Sequence, residues 1–211
     1  LEGNPAIMNR RFKAAQKANP EDRDVQSCLD EMKAEITALA EAVQRTPADA
    51  SLRSRLAKRY LLLRDYERAA EHYESFVELE PKNAAGWNNM GICYNRSERF
   101  DKAIWAFEKA IEHNPQQLHA YVNLASVHEK RGDWVTACEK LEQAVLIGSA
   151  CEKALVYDKL ARSYFMQNKH DLALEMLEKA IGFASNDPQL RSDLQSRRDS
   201  VACAAAGMQK P

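Results

Sequence analysis

The sequence predicts an all-α protein, and three observations carry that expectation. Only seven glycines and seven prolines serve 211 residues, while Ala, Leu, Glu and Lys, which lose little on entering a helix, are abundant. Apolar residues recur along the middle of the chain at the three- and four-residue spacing of a helix face. Pro47, Pro81 and Pro115 each close such a pattern, at intervals of 34 residues, which points to stacked copies of one helical unit.

Laid out at that period, the chain divides into segments 50–83, 84–117 and 118–151, with a fourth at 154–187 displaced by Glu152 and Lys153. In the second segment Trp87, Met90, Gly91 and Tyr94 share one face of a first helix. Ala103, Phe107 and Ala110 share one face of a second. Asp49 and Asn83 stand where they can cap first helices, and Asp101 is expected to do the same for a second helix. Small residues recur at one first-helix position (Ala57, Gly91, Ala125, Ala161) and one second-helix position (Ala69, Ala103, Ala137, Ala173), so that paired helices can approach closely.

These positions resemble the tetratricopeptide repeat, whose pattern runs W-x2-L-G-x2-Y, then A-x3-F-x2-A, then P. Trp87, Met90, Gly91, Tyr94, Ala103, Phe107, Ala110 and Pro115 follow it almost throughout. The first segment carries Leu56, Ala57, Tyr60, Ala69, Tyr73 and Pro81, the third Tyr121, Leu124, Ala125, Ala137, Leu141 and Ala144, and the fourth Tyr157, Leu160, Ala161, Tyr164, Ala173, Leu177 and Ala180. Phe76 replaces a small residue, His128 a tyrosine, and Ser149 and Ser185 the closing proline. The resemblance implies a right-handed superhelix, an α-solenoid of antiparallel helix pairs, with first helices lining a concave groove.

Stacked repeats need covers at both ends. An N-terminal arm, 1–20, is followed by an expected helix within 21–47, where Val25, Leu29, Met32, Ile36, Leu39 and Val43 alternate spacings of four and three. That stripe suits a cap on the first repeat, and it also suits a homodimer through residues 25–43. The cap is favoured, because fewer than three heptads make a short zipper. The arm gathers Arg10, Arg11, Lys13 and Lys17 with Ile7, Met8 and Phe12, and is read as a solvated extension. Residues 188–205 offer Leu190, Leu194 and Val201 for a second capping helix, and 206–211 form a tail. Because it begins at Leu1, the chain reads as a processed product or a piece of a longer polypeptide.

Catalytic patterns are missing from the sequence: it has no glycine-rich phosphate loop, HExxH or serine elbow. The five histidines fall at different repeat positions, and His128 is expected to be a hydrogen-bonded core residue. The five cysteines are odd in number and form no CxxC pair, so free thiols, no zinc and a reducing, cytoplasmic setting are expected. Neither a cofactor nor a transmembrane segment is expected. The net charge of -1 provides no general field for nucleic acid, and aromatics do not interleave the basic groove residues.

The groove positions implied by the resemblance include Arg55, Lys58 and Leu61 in the first repeat, and Asn88, Asn89, Ile92 and Arg96 in the second. His119, Asn123, Ser126 and Lys130 follow in the third, and Lys159, Arg162 and Phe165 in the fourth. Across the whole face Arg55, Lys58, Arg96, Lys130, Lys159 and Arg162 outnumber Glu129 and Asp158. Asn89 and Asn123 occupy equivalent positions one repeat apart, and a ladder of amides can pair with an extended peptide backbone. The chaperone-binding clamp of the family is matched at Asn89 alone, with Ser54, Lys58, His119 and Asn123 at its other positions. The expectation is a non-enzymatic interaction module or scaffold that holds an extended, acidic partner segment in its groove. The alternative is a self-assembling scaffold, or the regulatory arm of a larger enzyme, dimerising through the N-terminal helix.

Overall fold

The computed structural model describes residues 23–207. The N-terminal arm, the start of the expected first helix, the end of the tail, and the side chains of Val25 and Cys28 lie outside the described residues. Within them the chain is all-α, and ten helices follow one another: α1 Arg23–Arg45, α2 Ala50–Leu62, α3 Tyr66–Leu79, α4 Ala84–Arg96, α5 Phe100–His113, α6 Leu118–Lys130, α7 Trp134–Ile147, α8 Ala150–Met166, α9 His170–Phe183 and α10 Pro188–Ala205. From α2 to α9 they form sequential antiparallel pairs. The chain divides into two compact units, one ending at Pro81 and one beginning at Lys82.

The repeat positions form the core. Tyr73, Phe107, Leu141 and Leu177 are equivalent and all buried, as are Leu56, Met90, Leu124 and Leu160. Burying one such side chain is worth about 1.5–3 kcal/mol before ordering costs. At Gly91 the small residue has a steric reason. A Cβ on Gly91 would lie 2.7 Å from the Phe107 ring, whereas the third and fourth repeats combine alanine (Ala125, Ala161) with the narrower Leu141 and Leu177.

The turns inside each pair repeat as faithfully. Arg64, Glu98, Gly132 and Asn168 all have positive φ, of 62°, 60°, 78° and 58°. Glycine accepts that conformation freely and asparagine tolerates it, but Arg64 and Glu98 adopt it against steric resistance. Asp49 and Asn83 cap α2 and α4 by accepting from the Leu52 and Gly86 amides. Asp101 does not cap α5. Arg99 holds the cap position without a side-chain bond, and Asp101, already inside the first turn, pairs with Arg131 at 2.8 Å. Ser149 is also more than a lost proline. It forms a capping box with Glu152, so the residues that displace the fourth repeat become an extra first turn of α8.

In the first unit α1 lays its apolar stripe on α2. Met32 is fully buried against Leu62 and Leu63, and Leu39 and Val43 pack with Leu52 and Leu56. Glu35 and Arg59 form an ion pair at 2.9 Å alongside them. Of the residues that would form a dimer seam, Met32, Leu39 and Val43 are therefore buried within the chain, with Leu29 and Ile36 packed beside them. In the second unit α10 closes the stack on α9, with Leu194 buried and Leu190 and Val201 packed beside it.

Candidate functional site: one wall of first helices

The first helices of the second unit, α4, α6 and α8, are tied side by side by polar links one repeat long. Asn123 donates its amide to Asn88 Oδ1 at 3.0 Å. Lys130 Nζ donates to Asn95 Oδ1 at 2.8 Å and to the Asn95 carbonyl at 3.1 Å. Ser163 Oγ donates to Glu129 Oε1 at 2.9 Å, and both residues are buried. Each link joins residues 34 or 35 apart in sequence, so the repeat period reappears as hydrogen-bond geometry.

Every groove residue expected from the sequence lies on a first helix. On α2, within the first unit, Arg55 and Lys58 are exposed and Leu61 is half-buried. On α4 Asn88 is buried, Asn89 and Ile92 are half-buried and Arg96 is exposed. On α6 Asn123 and Ser126 are half-buried while His119 and Lys130 are exposed. On α8 Lys159 and Phe165 are half-buried and Arg162 is exposed. The partner of Asn123 is Asn88, one residue from the equivalent position that Asn89 occupies.

The two carboxylates of the expected groove face, Glu129 and Asp158, are engaged internally. Glu129 receives the Ser163 hydroxyl and has Arg162 at 3.8 Å. Asp158 is paired with Arg197 of α10. Sequence reasoning missed Arg197, although the signal was present: it lies three residues after Leu194 and four before Val201, on the stripe that seats α10. With Ser196, Ser200 and Val201 it completes a cleft of about 550 Å³ against Ala161, Arg162, Phe165 and Leu177.

Titratable groups elsewhere on these helices and in the turn after α6 have structural explanations. Burial pushes the Cys93 thiol up to about 12, as suits a small apolar core residue. Burial and then the Glu142 carboxylate raise the Tyr164 phenol above its ordinary range, and its hydroxyl donates to Glu142 at 2.8 Å. Half-buried His128 contacts Asp133 Oδ2 at 3.2 Å. The Asp133 carboxyl is held below its usual range, chiefly by the Thr136 side chain and backbone amide. Among the described residues no three His, Cys, Asp or Glu side chains gather as a metal site, and no helix is long and apolar enough to cross a membrane.

Family models described as "Tetratricopeptide repeat" match residues 50–83, 84–117 and 116–186, together about two thirds of the chain. Superkiller protein 3 of Schizosaccharomyces pombe is 26% identical over 138 residues, which is 63% of this chain and 10% of that protein. Serine/threonine-protein phosphatase 5 of Homo sapiens is 26% identical over 155 residues, covering 71% of this chain and 29% of that one. The chain thus spans under a third of the length of these relatives. Among solved structures, that of MamA superposes with a TM-score of 0.71 at 21% identity, covering 79% of this chain and 96% of that one. YrrB, described as a TPR protein with an unusual peptide-binding site, gives 0.64 at 18% identity, covering 89% and 99%. At such identities the superpositions speak for the fold. The in-phase repeat positions, the sequential helix pairs and the three matching models together place this chain in the tetratricopeptide-repeat family, as a helical-repeat module for protein interaction.

Proposed function

We propose that the wall of α4, α6 and α8 binds an extended, acidic segment of a partner protein, and that the chain works without catalysis of its own. The observation that carries this reading is the engagement of the wall's carboxylates. Glu129 is buried under Ser163 and Asp158 is held by Arg197, while Arg96 and Arg162 stand exposed and Lys159 half-exposed. With Asp158 offset by a cation from outside the wall and Glu129 shielded from solvent, the charged groups left exposed to a partner are mainly basic. Lys130 is held in place by Asn95, which positions its charge. Arg55 and Lys58 repeat the pattern on α2. Asn89 makes no side-chain hydrogen bond among the described residues and can offer donor and acceptor to a passing backbone.

An array of acidic, neutral and basic peptides, followed by binding kinetics on the best of them, tests the reading. Acidic peptides should bind best, and binding should weaken as salt shortens the screening length below about 8 Å. Arg96→Glu and Lys159→Glu should mainly slow association, and Asn89→Ala should mainly speed dissociation. Equal binding of basic and acidic peptides, or indifference to all three substitutions, would overturn it.

A further inference from the structure

The cleft between α8, α9 and α10 combines apolar and basic lining residues. Its floor is apolar, made by Ala161, Phe165, Leu177 and Val201, and its rim carries the guanidinium groups of Arg162 and Arg197 with the hydroxyls of Ser196 and Ser200. Its volume of about 550 Å³ falls in the range of about 300–1,000 Å³ typical of ligand clefts. Phe165 is held by the His170 ring, with centroids 5.2 Å apart, so the floor is built in advance.

The two cations are not equivalent. Arg197 is bound to Asp158, the one carboxylate lining the cleft. Arg162 is 66% exposed, and its ionic neighbour Glu129, at 3.8 Å, is beyond hydrogen-bond distance and already receives Ser163. A carboxylate brought to the rim would meet a cation with unused donors. An apolar side chain beside it would cover Phe165 and Val201, which are only part-buried.

We propose that this cleft is the anchoring subsite for the partner: a bulky apolar side chain, Leu, Ile or Phe, enters it while an Asp or Glu one or two residues away binds Arg162. The proposal rests on the acidic-segment reading and adds to it a hydrophobic anchor and a direction. The anchor end of the segment lies at α10 and the acidic remainder runs toward α6 and α4. Charge complementarity favours an acidic peptide over a second copy of this basic-rimmed surface.

A random dodecapeptide library displayed on phage and selected against the full chain supplies the probes. Enriched peptides, labelled for fluorescence anisotropy, are then titrated against wild type, Arg162→Ala, Ser200→Glu and Lys130→Glu. These are surface changes whose folding is checked by circular dichroism. The expected motif is one bulky apolar residue flanked by Asp or Glu. Alanine in place of that residue, Arg162→Ala and Ser200→Glu should each weaken binding about tenfold. If acidic peptides are enriched without an apolar anchor, or lose affinity with Lys130→Glu but not with Arg162→Ala and Ser200→Glu, the subsite is wrong and the acidic-segment reading stands. Enrichment of neutral or basic peptides, or of none, overturns both. A dimer in light scattering at tens of micromolar that Ser200→Glu dissolves would assign the cleft to a second copy and overturn the proposal.

Discussion

Asn123 donates its side-chain amide to Asn88 Oδ1 at 3.0 Å, so the two residues form a rung between neighbouring first helices. Asn88 is 7% exposed and Asn123 half-exposed, which makes the bond asymmetric. Asn123→Ala strands a buried acceptor and should cost about 1–3 kcal/mol, whereas Asn88→Ala leaves an amide that water can reach and should cost less. Urea unfolding of the two variants checks the order. Equal losses would show that the buried oxygen finds another donor.

Glu98 adopts φ 60° in the turn between α4 and α5, where the next repeat uses Gly132 at φ 78°. Glu98→Gly should therefore raise stability by up to about 1 kcal/mol, because relief of left-handed strain outweighs the added freedom of the unfolded chain. Gly132→Ala should lower it. A differential scanning measurement in which Glu98→Gly melts earlier than wild type would contradict the strain argument.

Gly91 and Phe107 are matched by shape, with 2.7 Å between the ring and a Cβ placed on the glycine. Gly91→Ala should destabilise by about 1–3 kcal/mol through overpacking. Combined with Phe107→Leu, it recreates the alanine and leucine pairing of the third and fourth repeats. The double variant should be more stable than the sum of the single losses predicts. Strict additivity in chemical denaturation would show that the ring moves aside freely.

Met32 is fully buried and touches Leu62 and Leu63, which assigns the α1 stripe to the first repeat. Met32→Ala should cost about 2–5 kcal/mol, and the wild-type chain should scatter light as a monomer at tens of micromolar. A wild-type dimer converted by Ile36→Asp into a monomer of unchanged melting temperature would revive the self-assembly alternative.

The repeat was legible because one spacing fixes many contacts at once. Position after position, from Leu56 to Leu160 and from Tyr73 to Leu177, apolar period became core. The caps were less legible. Asp49 and Asn83 act as their residue types suggest, but Asp101 is the second residue of α5, two past the cap position, and the turn that contains Glu98 puts Arg99 at the cap. In the wall, the family resemblance put Asn88, Asn123 and Lys130 on first helices, while their pairings depend on the lateral offset of neighbouring helices, a quantity no single helix encodes. The place of Arg197 on the stripe that seats α10 was readable, but its pairing with Asp158 on α8, 39 positions away, falls outside the repeat period.

An acidic segment bound along α4, α6 and α8 would be reported most directly by side-chain amide signals in a nuclear magnetic resonance titration. With the best acidic peptide from the array, the Asn89 and Asn123 amide resonances should shift together and saturate at the same peptide concentration, while the indole signal of Trp105, on α5, stays fixed. If the Trp105 signal moves and the two asparagine amides do not, the partner binds elsewhere and the account of this wall is wrong.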